Sequence, residues 1–320
     1  MRRVLDPVRA EVSAWCSEAF IRGVSAAFLL HPLSRPEAHG VEVLRDLPYL
    51  ASGHEMHRLD VYRPVARPGP WPIVFYVHGG GFRLLSKDTH WVMGLVFARH
   101  GYLVVNISYR LAPRHPFPCA MEDTCAAWAW LVEHAASLGG DLGRVAVAGE
   151  SAGGNLVTSL TLATCQRRDE PWARLAYDTG VTPGAVMPFC SILEVSHPER
   201  FAGAAPWFVT AMIRDIASWY LGTADHGAAL DLANPLTALE RGLALSRPLP
   251  PFFAPVGTWD PLAADHRRLE SALARLGVPC EARYYRGGIH AFHAMVWNPT
   301  ARRCWRDALA FLDRHLRASA

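Results

Sequence analysis

Gly149-Glu150-Ser151-Ala152-Gly153-Gly154-Asn155 sets a serine among small residues, directly after the apolar run Val145–Ala148 and before the helical pattern Leu156-Val157-Thr158-Ser159-Leu160. A strand-to-helix turn this tight excludes bulky flanking side chains. It also projects the hydroxyl from the sheet edge beside a helix N-terminus, where developing negative charge is favoured. By composition alone, Gly-x-Ser-x-Gly occurs in roughly one chain in ten of this length, so its position between strand and helix carries the signal. The chemistry is nucleophilic attack by an activated hydroxyl.

Such an attack on a carbonyl produces an oxyanion. His78-Gly79-Gly80-Gly81-Phe82 follows the apolar run Ile73–Val77, and its glycines leave backbone N–H groups unshielded. Each donor aimed at an oxyanion contributes about 2.7–4 kcal/mol in the transition state. A P-loop would need Lys and Ser/Thr in a different pattern, which Phe82-Arg83-Leu84-Leu85 does not supply.

The hydroxyl needs a base, and the base an orienting acid. His290 follows Ala282–Tyr285 and Gly287-Gly288, which places it in a loop at a strand's C-terminal end; His293, three residues on, competes with it. Asp260 follows Phe252–Val256 through Gly257-Thr258-Trp259, whereas Asp265 falls one turn into the next helix, as a helix-face residue or a secondary support. The order Ser151…Asp260…His290 matches one known triad order.

Positioning these residues requires a sheet. Ile73–Val77, Leu103–Ile107, Val145–Ala148, Ala185–Phe189, Phe252–Val256 and Ala282–Tyr285 read as strands buried on both faces. Helical patterns lie between them around 90–99, 119–137, 152–168, 262–276 and 300–317. This alternation predicts a mostly parallel doubly wound α/β sheet, with Leu59-Asp60-Val61-Tyr62 as an antiparallel lead-in. Residues 8–30 (Val8, Val12, Trp15, Ala19, Val24 and Phe28 on one stripe) and 206–221 stand outside the alternation as candidate cap helices.

Composition narrows the remaining classes. The 320 residues are 51% hydrophobic and 19% charged, with a net charge of +3. Every basic residue except Lys87 is an arginine, and no run of five occurs, which argues against nucleic-acid binding and against a polybasic membrane anchor. Seven cysteines without a Cys-x-x-Cys pair point to free thiols in a reducing, cytoplasmic setting. No stretch approaches the roughly 18 apolar residues of a membrane span. Nothing in the chain calls for a metal or cofactor: His54-Glu55-Met56-His57 lacks zinc-helix spacing, and no dinucleotide fingerprint follows the first strand.

Together these motifs resemble the hormone-sensitive lipase family of α/β-hydrolases, in its bacterial family IV esterase branch, from about residue 59 to the end. His78–Gly81, Gly149–Asn155, Tyr109-Arg110-Leu111-Ala112-Pro113 with Pro116-Phe117-Pro118, Asp260-Pro261-Leu262 and His290-Ala291-Phe292 carry the likeness. Arg114, Cys119, Glu150 and Ala291 depart from the family's usual acid, Ala, Asp and Gly.

The resemblance implies an α/β-hydrolase fold with Ser151 as nucleophile, His290 as base and Asp260 as its acid. It implies an oxyanion hole from the amides of Gly80, Gly81 and Ala152, with His78 supporting the loop. A cap from about 1–45 and 191–235 would cover a core of 46–190 and 236–320. Phe82, Trp207, Phe208, Met212 and Trp219 are expected to bound the substrate. The expected activity is hydrolysis of short- to medium-chain acyl esters of small molecules, with a homodimer as the family's assembly. Hydrolysis of an aryl formamide, lactone or natural-product acetate, and a non-catalytic small-ligand receptor on the same fold, are the alternatives.

Overall fold

In the computed structural model, the described residues are Gly23, His31, 34–203 and 205–316. Strands β1 (Glu42–Pro48), β2 (Arg58–Arg63), β3 (Trp71–Val77), β4 (Leu103–Ile107), β5 (Gly140–Glu150), β6 (Ala185–Phe189), β7 (Phe252–Gly257) and β8 (Cys280–Tyr285) form one sheet in the order β1-β2-β4-β3-β5-β6-β7-β8. β2 pairs antiparallel with β1 and β4, and the other pairings are parallel. The mostly parallel sheet and its antiparallel lead-in are therefore as the sequence predicts.

Helices α1 (Trp91–Arg99), α2 (Cys119–Leu138), α3 (Ala152–Cys165), α4 (Pro171–Asp178), α5 (Trp207–Leu221), α6 (Pro235–Arg241), α7 (Ala263–Arg275) and α8 (Pro299–Leu316) complete the framework. Strand alternation divides the core. Ile73, Phe75 and Val77 of β3 pack with Trp128 of α2 and Leu156 and Leu160 of α3. Val74 and Tyr76 face the opposite way, with Phe97 of α1 and Trp305 and Phe311 of α8. Both faces are apolar because helices cover both, and each fully buried Val, Leu or Phe contributes about 1.5–3 kcal/mol.

β1 begins at Glu42, four residues inside the segment assigned to the cap, and its Glu42–Leu44 stretch pairs with Val61–Arg63. The sequence left β1 unread because a bulge around Arg45-Asp46 interrupts its alternation, with Asp46 at φ 56°, and most of its side chains are partly or fully exposed. The helical stripe over 8–30 lies outside the described residues apart from Gly23.

Candidate active site

The turn between β5 and α3 holds Ser151 at φ 52° and ψ −114°. A β-carbon at Gly149 would lie 2.5 Å from the Gly153 carbonyl, and one at Gly153 would lie 2.1 Å from the Val77 carbonyl oxygen. Glycine is therefore obligatory on both flanks. The Ser151 amide donates to the Phe189 carbonyl at 2.9 Å, tying the turn to the end of β6. Strain in such a position is tolerated where the surroundings over-determine it, as these two strands do.

His290 arrives on the loop between β8 and α8. Its Nε2 lies 3.1 Å from Ser151 Oγ, and its Nδ1 donates to Asp260 Oδ2 at 2.8 Å. Asp260 is buried, and its second oxygen accepts the Leu262 amide at 2.9 Å, which fixes the carboxylate. Burial pulls the His290 pKa down, but the adjacent Asp260 outweighs it, with Glu150 adding to the effect, and holds it above the ordinary imidazole value. His293 is buried instead against Glu150, with Nε2 2.9 Å from Oε2. The structure thus brings His290, and not His293, to the serine.

The glycine loop lies beside this pair. Gly80 and Gly81 take φ 113° and 61°, and a β-carbon at Gly80 would lie 2.1 Å from the Leu84 carbonyl oxygen. Among the described residues, no acceptor within the chain takes the amides of Gly80, Gly81 or Ala152. His78 is a scaffold: its Nδ1 donates to the Gly79 carbonyl at 2.6 Å and its ring stacks on Tyr109 at 4.2 Å. Burial, with His90 nearby, pushes its pKa down to about 3, so it stays neutral.

The expected pocket residues divide. Phe82 is a correction: it is fully buried and stacks on Tyr220 with centroids 3.6 Å apart, so it braces α5 from below and presents no surface to a ligand. Trp219 is half-buried and carries the Arg83 guanidinium 4.0 Å over its ring. Trp207, Phe208 and Met212 are exposed on α5. Phe208, Met212 and Ile216 follow one another at i, i+4 spacing along one flank, whereas Trp207 shares the outer face with the exposed Arg214 and Ser218.

Ile216, missed from sequence, ends that flank over the glycine loop: a β-carbon at Gly81 would lie 2.9 Å from its Cδ1. No local motif marks an isoleucine whose role depends on where its helix docks. Asn155 was read only as part of a motif, yet its amide donates to the Ile192 and Ala233 carbonyls, both at 3.0 Å. It thereby joins the two stems of the segment carrying α5. Asp265 supports one stem, pairing with Arg200 and accepting the Leu193 amide at 2.9 Å. Arg114, a departure from the family pattern, is exposed and lines a depression of about 520 Å³ with His54 and His115.

Among the described residues, Cys190, Asp260 and His290 form the one set of metal-capable donors within 4.8 Å of one another. Asp260 and His290 already bond to each other and the Cys190 thiol is fully buried, so these donors do not converge on a vacant cation position. No helix among the described residues is long and apolar enough to cross a membrane.

Known proteins resemble this chain in sequence and in fold. The family signature described as alpha/beta hydrolase fold matches residues 74–294. Esterase LipI of Mycobacterium tuberculosis is 33% identical over 273 residues, covering 78% of this chain and 79% of that protein. Carboxylesterase NlhH of the same species is 34% identical over 265 residues, covering 81% and 78%. Among solved structures, a bacterial heroin esterase superposes with a TM-score of 0.76 at 23% identity, over 96% of this chain and 93% of that one, a likeness of fold.

Proposed function

The chain belongs to the α/β-hydrolase family, in its hormone-sensitive-lipase-like esterase branch, and from that premise we propose that it is a serine carboxylesterase acting through Ser151, His290 and Asp260. The observation that carries the reading is the continuous hydrogen-bond line from Ser151 Oγ through the His290 ring to Asp260. In the proposed reaction, His290 Nε2 takes the serine proton as Oγ attacks the ester carbonyl. The amides of Gly80, Gly81 and Ala152 bind the resulting oxyanion. The imidazolium then protonates the leaving alkoxide, and the acyl group stays on Ser151. Water, deprotonated by the same imidazole, attacks the acyl-enzyme and releases the acid.

Ile216 over Gly81 narrows the space next to the oxyanion site, and the apolar flank Met212–Phe208 continues outward from it. This arrangement favours small-molecule esters of short to medium acyl chains. p-Nitrophenyl acetate, butyrate, octanoate and palmitate test the reading, with turnover highest on the shorter chains. Ser151→Ala lowers kcat by roughly 10⁴–10⁶-fold. His290→Ala is similarly inactive, whereas His293→Ala retains the proton-transfer step. No wild-type turnover, or equal turnover by Ser151→Ala, contradicts the proposal and favours a binding protein on this fold.

A further inference from the structure

Glu150 is a buried carboxylate that the reaction scheme leaves without a task. It directly precedes Ser151 and is 7% exposed. The Gly79 amide donates to His90 Nε2 at 3.3 Å, and that same ring nitrogen lies 3.1 Å from Glu150 Oε1. A β-carbon on Gly79 would come 2.8 Å from Glu150 Cγ. On its other side, His293 Nε2 stands 2.9 Å from Oε2 as a close ion-pair approach outside hydrogen-bond alignment. One side chain therefore touches the serine turn, the glycine loop and the loop that carries His290.

The two histidines are themselves anchored. His90 Nδ1 faces the Ser86 carbonyl at 3.2 Å, and the His293 carbonyl accepts the Trp305 indole N–H at 2.9 Å. An ionised carboxylate in so dry a place is costly to desolvate, and a neutral amide of the same shape would fill the space without that cost. Burial on its own would raise the Glu150 carboxyl, but His90 and His293 beside it hold it well below the usual carboxylate range.

We propose that Glu150 is a positioning residue that holds the glycine loop and the His290 loop in register through His90 and His293, and that its negative charge stabilises the imidazolium formed on His290. The inference rests on the esterase reading above. His290 is faced by Asp260 and His266 from β7 and α7, by Cys190 after β6, and by Glu150. Glu150 is faced by His90, His293, His78, Tyr76, Tyr109 and Cys190. Asp260 and Glu150 are the only carboxylates in either set.

The test titrates the His290 imidazole by ¹⁵N NMR in wild type, Glu150→Gln and Glu150→Asp, beside the pH profile of kcat/KM and thermal unfolding. Glu150→Gln lowers the His290 titration midpoint and the acid limb together by roughly half a pH unit to one unit. It also reduces kcat about tenfold with KM nearly unchanged. Glu150→Asp restores the midpoint and part of the rate, since its shorter reach leaves the charge but loosens the contacts. A folded Glu150→Gln protein with an unmoved His290 midpoint overturns the inference. Should Glu150→Gln fail to fold, His90→Asn and His293→Asn stand in for it: lowered kcat at constant KM supports the positioning role, and unchanged kcat in both overturns it. Because NMR reads the imidazole without turnover, wild-type inactivity counts against the esterase reading, and an unmoved midpoint in an active enzyme counts against the role of Glu150 alone.

Discussion

Ser151 and His290 meet across 139 residues of sequence, and the chemistry of their meeting turns on one imidazole. The base must be neutral to accept the serine proton, and Asp260 and Glu150 raise its pKa above about 6.5. The acid limb of kcat/KM is therefore expected above pH 6.5, with activity lost as pH falls through it. Stability runs the other way. A raised folded-state pKa favours the protonated protein, so this contribution is full below the unfolded value and is lost as pH rises through the folded one. Asp260→Asn removes the orienting acceptor and should cost about 10⁴ in kcat. Ala291 offers a stability test. It takes φ 55° where the family pattern has glycine, a strain of about 1–2 kcal/mol for an L-residue. Ala291→Gly should raise stability by a net of about 0.5–1 kcal/mol in urea unfolding, after the entropy of the added glycine is subtracted. The triad candidates were legible because each sits at a strand end beside residues only a tight turn would need. Phe82 was misread because its neighbours in sequence point to the site while its side chain turns under Tyr220.

At the scale of elements, the serine turn is fixed from both sides by backbone. A β-carbon at Gly153 meets the Val77 and His78 carbonyl oxygens at 2.1 and 2.5 Å. Gly153→Ala must therefore push α3 away from β3, and the expected result is loss of both activity and thermal stability. Asn155 tests the stems of the α5 segment. Asn155→Ala leaves the Ile192 and Ala233 carbonyls without their donor and should destabilise the protein by about 2–4 kcal/mol in urea unfolding. The β5–Ser151–α3 unit could be read from sequence because both its strand and its helix are apolar and its corner is marked by glycine. The short helices α4 and α6 escaped because eight and seven residues give too few turns for a periodic pattern, although each opens on a proline. The docking of α5 was out of reach as well. Its inner residues Ile213, Ala217 and Tyr220 meet partners far away in sequence, and the direction of its exposed apolar flank follows from that docking.

Across the whole molecule, a single lysine joins the lead-in strands to the loop that follows the glycines. Lys87 Nζ lies 2.7 Å from Asp46 on β1, 2.9 Å from Asp60 on β2 and 2.7 Å from Asp88. Asp60 is fully buried, and Lys87→Met removes its nearest cation, leaving the exposed Arg45 at 3.7 Å and the Asp46 amide, so the change should destabilise by less than the roughly 3–5 kcal/mol of a buried charge with no partner. In composition Lys87 is only the one exception to arginine; its three partners come from separate parts of the chain. The two-faced sheet was visible in the doubly apolar strands, whereas β1 and its charged anchorage carried no apolar signature. All of this scaffold serves one claim, that Ser151 is a nucleophile activated by His290. Its most direct measurement is the intact mass and peptide map of the protein after reaction with a fluorophosphonate. One phosphonyl adduct per chain is expected on Ser151, formed in step with loss of ester turnover, absent in Ser151→Ala and much slower in His290→Ala. Full ester turnover without an adduct, or an adduct on another residue that tracks the loss of activity, would contradict it.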